Sequence, residues 1–319
     1  MSSLFRLSTT GAASCRVHAR RLLSTALSSS LNIEALNKWI ASENKLTVPD
    51  TLRPEHLSSL YATLPTRDHA HSPPTEGAPL GYGHHLVFFH PRNPESVLRW
   101  DGTDADFCPP EPFTRRMWAS GKMTWKATGR GALRIGDSAV AVSEMGQVKK
   151  KGFEEGGLPM VFVKQMIKYM KRGSGQVALE EERSHVYLAA PANQRPTRAV
   201  SGLPHPDFSL KYLPSATTLF RFSALTFNGH FIHLDKDYAQ KSEGYPERLV
   251  HGPLTALMLL ETSALQRPDA VFRTFEYRAL NPLVVNRPVT IYGAWGKSEV
   301  QVWAEDGDGT VGMTGSISL

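Results

Sequence analysis

Residues 220–262 read FRFSALTFNGHFIHLDKDYAQKSEGYPERLVHGPLTALMLLET. Three local signals follow one another in this stretch. The run TTLFRFSAL, ending at Leu225, has the aromatic and apolar density of a strand. TFNGHFIHLDKD then breaks the apolar pattern with a dense polar cluster. Gly252 and Pro253 open a third segment, PLTALMLLETSALQ, in which Leu254, Leu257, Met258 and Leu260 predict a buried helix. Downstream, VFRTFEYRAL, PVTIYGAW, SEVQVWAED and TVGMTGSISL alternate apolar and polar residues between Gly-containing turns, as an antiparallel meander does.

Upstream, the same plan recurs without a residue-level repeat. IEALNKWIA places Ile33, Leu36 and Ile40 on one helical face, and Pro54 opens a second short helix carrying Leu57, Leu60 and Tyr61. HHLVFFHP reads as a short strand, and FTRRMWASGKMTWKA as a short helix or buried connector. Residues 132–190 form β-like runs separated by KKKG, EEGG and KRGSG turns, a second antiparallel meander. The Pro-rich segment 191–207 is the expected linker between a first unit at 50–190 and a second at 208–319. Each unit is therefore expected to be α+β, with strands around a helical element.

The chain has 319 residues, with 36 Lys and Arg against 30 Asp and Glu, a formal charge of +6. Four of the arginines (Arg6, Arg16, Arg20, Arg21) lie in residues 1–30, which hold no acid. Removing them leaves 32 bases against 30 acids, so the basic excess belongs to the leader and argues against a nucleic-acid partner. A Ser-, Ala-, Leu- and Arg-rich, acid-free leader has the composition of a mitochondrial transit peptide, and the matrix is the expected location. Two cysteines, Cys15 and Cys108, exclude a disulfide scaffold and a Cys-rich metal site. No apolar run is long enough to span a membrane.

The polar cluster carries the chemistry. His230 and His233 can exchange protons near neutral pH, and Asn228 can orient a water or a carbonyl. Asp235 precedes KDYAQK and reads as a helix cap rather than a catalytic acid. Unpaired N–H groups at the Gly252 helix start can polarise a carbonyl oxygen. His230, His233, Asp235 and His251 have no standard metal-ligand spacing, so neither metal nor cofactor is expected.

FRFSALTFNGHFIHLDKDYA with LVHGPLTALMLLE resembles the MaoC-like, hydratase-2 branch of the hot dog fold, nearest the mitochondrial 3-hydroxyacyl-thioester dehydratase type 2 group and the related mesaconyl-C4-CoA hydratase-like proteins. HLVFFHP and WDGTDADFCPPEPFTRRMWASGKMTW extend the resemblance to the first half. It implies a double hot dog: two antiparallel sheets, each wrapping a central helix, in one chain. The branch carries Asp-x-Asn-Pro-x-His, with the Asp and the final His catalytic. Laid on this chain, His233 takes the final position, Asn228 the Asp position and His230 the Asn position.

The implied activity is interconversion of 3-hydroxyacyl and trans-2-enoyl thioesters carried by acyl carrier protein or coenzyme A. His233 is then the main acid/base, Asn228 and His230 hold or share protons with the hydroxyl, and the Gly252 amide holds the thioester oxygen. Pro109, Phe113, Met117, Trp118 and Trp125 are candidates for an acyl groove, or else plain core. Arg115 and Arg116 can meet phosphates or lie solvated on a loop. A C4–C5 dicarboxylyl-CoA substrate would need a cation in the pocket, for which Arg221 and Arg116 are candidates. A non-catalytic thioester binder is the reading from a different class. Either a monomer or a homodimer satisfies the sheet.

Overall fold

The computed structural model describes residues 31–67, 74–126, 132–154, 157–189 and 197–319. The leader, and with it the expected transit peptide, lies outside the described residues, as does the start of the 191–207 segment.

Helix α1 (Ile33–Ile40), strand β1 (Lys45–Thr51) and helix α2 (Pro54–Tyr61) open the chain. The Asn32 side chain caps α1 by accepting from Ala35 N at 2.8 Å. Strands β2 (Arg115–Trp125), β3 (Ser138–Lys151), β4 (Met160–Lys171) and β5 (Val177–Leu188) complete the first half. The second half runs β6 (Phe208–Tyr212), α3 (Ala216–Leu225), α4 (Phe231–Leu234), a π turn (Tyr238–Ser242), α5 (Gly252–Gln266), then β7 (Thr274–Ala279), β8 (Val289–Trp295), β9 (Glu299–Asp306) and β10 (Val311–Ser318).

Among the described residues ten strands pair antiparallel in one sheet, ordered β1-β3-β4-β5-β2-β7-β10-β9-β8-β6. The two halves join where β2, already paired with β5, also pairs with β7, Gly121 facing Tyr277 and Met123 facing Phe275. Gly121 is required at this seam: a Cβ there would lie 2.2 Å from Tyr277 Oη and 2.6 Å from the Glu182 carbonyl oxygen.

The second half curls around α5. Every residue of α5 from Leu254 to Ser263 is buried, the pattern of a helix enclosed on all sides. In the first half the fully buried piece is a 3₁₀ turn, His84–Val87, while α2 is amphipathic and buries Leu57 and Leu60. One hydrophobic cluster runs through both halves, joining Leu57, Leu60 and Phe88 to Leu257, Met258 and Phe275. The polar side chains of the turn are matched to buried carboxylates: His84 Nε2 lies 2.9 Å from Glu261 Oε2 of α5, and His85 Nε2 3.3 Å from Glu181 Oε2 of β5.

Three local expectations change. TTLFRFSAL is not a strand but helix α3. Ser215 Oγ accepts from Thr218 N at 3.1 Å while Thr218 Oγ1 accepts from Ser215 N at 3.2 Å, a capping box that starts the helix. Leu219, Phe222, Ser223 and Leu225 then form its buried face. HHLVFFHP makes no strand because its buried residues pack as the 3₁₀ turn. FTRRMWASGKMTWKA is neither helix nor connector: it supplies β2, the strand that knits the halves together. The meander strands of both halves and the Gly252 start of α5 lie where the periodicity puts them. Among the described residues no helix is long and apolar enough to cross a membrane.

Candidate active site

The polar cluster is held between α3 and α4. Past the end of α3, Asn228 N donates to Ser223 O at 2.8 Å, and Thr226 Oγ1 donates to Phe222 O at 2.8 Å. Phe227 between them takes φ +48°, a left-handed conformation that reverses the chain. Asn228 Oδ1 accepts from His230 N at 3.1 Å, and α4 begins at the next residue, carrying His233. His56 of α2 secures the end of α3 from the first half, its Nε2 lying 2.8 Å from Val87 O and 3.1 Å from Leu225 O. Asp235 caps the next turn, accepting from Tyr238 N at 2.9 Å.

Three imidazoles meet here. The His233 and His251 rings stack with centroids 3.6 Å apart and planes 20° apart, and His230 stands edge-on to His233 at 5.6 Å. His233 Nδ1 lies 2.8 Å from the Leu249 carbonyl oxygen. A carbonyl only accepts, so Nδ1 carries the hydrogen and Nε2 keeps its lone pair, the form a general base needs. Burial lowers the His233 pKa to about 4, with Arg116 adding to the effect against the Leu249 hydrogen bond. Burial and the neighbouring His233 also push His230 and His251 well below the usual range. All three rings are therefore neutral near pH 7, and the stack carries no charge repulsion. His251 Nε2 is held by Ser223 Oγ at 2.9 Å, while its Nδ1 is buried without a partner.

His233, His230, Asn228 and Gly252 all line one cavity of about 1190 Å³, walled by both halves of the chain. Gly252 begins α5, so its N–H has no carbonyl one turn earlier to bond and is available to a ligand. It packs on Trp118 of β2, where a Cβ would sit 3.2 Å from Trp118 Cβ and Cγ.

The three arginines differ sharply. Arg115 is buried in an ion pair with Glu243 and also donates to its carbonyl, so its charge is already neutralised. Arg221 is exposed, donates to Ala62 O at 2.9 Å and lies outside the cavity. Arg116 lines the cavity. Burial works against its charge, but Tyr187, Cys108 and Asp101 outweigh that and keep it protonated. Of the groove candidates, Met117 and Trp118 line the cavity, whereas Phe113 and Trp125 pack in the core and Pro109 is buried away from it. Among the described residues no group of three His, Cys, Asp or Glu side chains could hold a metal ion.

Sequence reasoning passed over Asp101, a buried carboxylate from the first half whose Oδ2 lies 3.9 Å from His230 Nε2. It sits in the loop stretch that opens WDGTDADFCPPEPF, where nothing local marks it as facing a histidine, and only the tertiary contact reveals it. The His251–Ser223 pair was equally hidden, because His251 reads locally as the residue before a helix.

The family model described as hydroxyacyl-thioester dehydratase type 2 matches residues 83–285. The chain is 32% identical over 267 residues to a mesaconyl-C(4)-CoA hydratase of Chloroflexus aurantiacus, covering 82% of this chain and 92% of that one. It is 29% identical over 231 residues to the mitochondrial hydroxyacyl-thioester dehydratase type 2 of Schizosaccharomyces pombe, covering 66% and 76%. A MaoC-like dehydratase structure from Phytophthora capsici superposes with a TM-score of 0.63 at 13% identity, over 90% of this chain and 98% of that one. That likeness concerns the fold, a double hot dog in one chain. The matched segment takes in β2, the imidazole cluster and α5, and so the chain belongs to the hydroxyacyl-thioester dehydratase type 2 family, a group of hydro-lyases.

Proposed function

We propose that the protein interconverts 3-hydroxyacyl and trans-2-enoyl thioesters in mitochondrial fatty acid synthesis. The observation that carries this reading is His233, held as the Nδ1–H tautomer by Leu249 O, in one cavity with the Gly252 helix start.

In the dehydration direction, His233 Nε2 takes a proton from C2. The C2–H electrons move toward the thioester oxygen, where the Gly252 N–H meets the growing enolate charge. Such a donor supplies on the order of 3–4 kcal/mol. The electrons return to form the C2=C3 bond as the C3–O bond breaks. His233 passes its proton to the departing hydroxyl, which leaves as water, and the imidazole is neutral again. Asn228 and His230 hold that oxygen. Hydration runs the same steps backwards.

The mitochondrial setting draws on the acid-free, Arg-bearing leader and on the mitochondrial name of the S. pombe relative. The first half acts as the non-catalytic unit, 50–190, receiving the acyl chain, and 208–319 as the catalytic unit, with 191–207 between them.

One observation favours a second substrate class. Arg116 is a protonated guanidinium in the cavity with no carboxylate within ion-pair distance among the described residues, a suitable anchor for the free carboxylate of a C4–C5 dicarboxylyl-CoA. The C. aurantiacus relative is named for such a substrate.

Residues 31–319 and their His233→Ala variant, given short and long enoyl-CoA, the matching acyl-carrier-protein thioesters and mesaconyl-C4-CoA, separate these readings through loss of the conjugated thioester absorbance. Turnover of linear chains, abolished in His233→Ala, supports the lipid reading. Turnover of mesaconyl-C4-CoA alone transfers the site to dicarboxylate chemistry. No turnover of any of them overturns the enzyme reading in favour of a binder.

A further inference from the structure

The catalytic loop has an amide, Asn228, at the position where the wider branch has a carboxylate. We propose that Asp101, reached from the first half of the chain, is a positioning residue that orients His230 and fixes its tautomer. This rests on the reading of His230 as a group that holds the reacting oxygen.

Asp101 is 1% exposed. Its Oδ1 is committed, accepting from Thr103 N at 3.1 Å and from Thr103 Oγ1 at 2.6 Å. Oδ2 is left facing His230 Nε2 at 3.9 Å. That separation is longer than a hydrogen bond, and such contacts commonly tighten only when substrate is bound. An imidazole that gives its Nε2–H to Asp101 keeps Nδ1 as an acceptor for the substrate hydroxyl or the water.

The two loops are also locked at the backbone. The Asp101 carbonyl accepts from Phe231 N, the first residue of α4, at 3.0 Å. Gly102, at φ +79°, lies so close to the catalytic loop that a Cβ would come within 2.2 Å of the Gly229 carbonyl oxygen. The Asp101 carboxylate is thus held in register with His230 from two sides.

The other charged or titratable groups around His230 are Arg99, Arg115 and Arg116 from the first half, and His233, His251 and Tyr238 from the second, with Glu243 bound to Arg115 and Tyr238. Arg115 is neutralised by Glu243, and Arg99 donates to Thr114 O and Cys108 Sγ. Asp101 is therefore the carboxylate within ion-pair distance of the ring among the described residues.

The test uses residues 31–319 carrying Asp101→Asn, Asp101→Glu, His230→Gln, and Asp101→Asn with His230→Gln, each checked for a native thermal transition. Two readouts are taken: enoyl-thioester hydration from pH 5 to 9, and the ¹⁵N shifts of the His230 ring nitrogens. Asp101→Asn should lower kcat roughly tenfold or more, a share of the factor of about 10²–10⁴ that acid–base groups supply, with KM little changed. Asp101→Glu should recover part of it, and Asp101→Asn should add nothing in the His230→Gln background. The ¹⁵N shifts should report the Nε2–H tautomer in the parent and its loss in Asp101→Asn. Wild-type kcat with an unchanged tautomer in Asp101→Asn overturns the proposal, as does an equal loss in both backgrounds. If His230→Gln leaves turnover intact, the catalytic reading of His230 fails by itself, and the ring shifts still decide whether Asp101 sets its tautomer.

Discussion

Arg116, which lines the cavity, acts on His233 and His230 through space. Its cation disfavours a second positive charge nearby, so it lowers the pKa of His233 beyond what burial does. With His233 at about 4, kcat/KM should stay flat from neutral pH down to about pH 5 and fall as the ring protonates near pH 4. Arg116→Gln removes the cation, raises the His233 pKa and should move this acid limb to higher pH. A limb that stays in place or moves lower in the measured profile contradicts the assignment. If a dicarboxylyl-CoA is the substrate, the same variant should also raise its KM, and it should leave the KM of a linear enoyl-CoA nearly unaltered.

Among the elements, β2 has the most consequence, because one strand closes the first half and joins it to the second. Gly121→Ala should strain this seam, since the new methyl would meet the Glu182 backbone oxygen as well as the Tyr277 hydroxyl. Overpacking of this kind costs about 1–3 kcal/mol, so the thermal midpoint should drop by several degrees, measurable by calorimetry. Gly121→Ala melting with the parent would show that the seam relaxes freely. β2 is also the element that sequence reading missed most clearly. RRMWASGKMTW has Met and Trp without clean alternation, because the strand is flanked on both edges and has a register shift between Trp118 and Ser120. α3 was missed for the opposite reason: TTLFRFSAL suits a strand by composition, and its helical identity rests on the Ser215–Thr218 capping box and a face packed on the core. α5 was legible because an apolar run behind Gly252 and Pro253 states both its start and its burial.

At the scale of the whole molecule, six histidines among the described residues are held in neutral form: His85, His90, His185, His230, His233 and His251 are all lowered, first of all by burial. In the unfolded chain these rings protonate below about pH 6.5, whereas His90 in the fold does so only near pH 4. Unfolding therefore takes up protons in that window, and stability should fall as pH drops from about 6.5 toward 4. His90 alone contributes about 3 kcal/mol to that loss. Melting between pH 7.5 and 5 should show a marked decline, smaller in His90→Gln, and a flat profile would contradict the neutral, buried state. The sequence by itself determined what is local: the strands of both meanders, the buried helix and its Gly252 start, and the spacing of Asn228, His230 and His233, all set by periodicity, turn chemistry and short-range geometry. Only the tertiary structure decided that Asp101 faces His230, that His251 stacks on His233, that Arg116 is in the cavity while Arg221 is not, and that the two halves share one sheet. Those contacts join residues far apart in the chain, and the register of the paired strands and the packing on α5 create them, which no local pattern records.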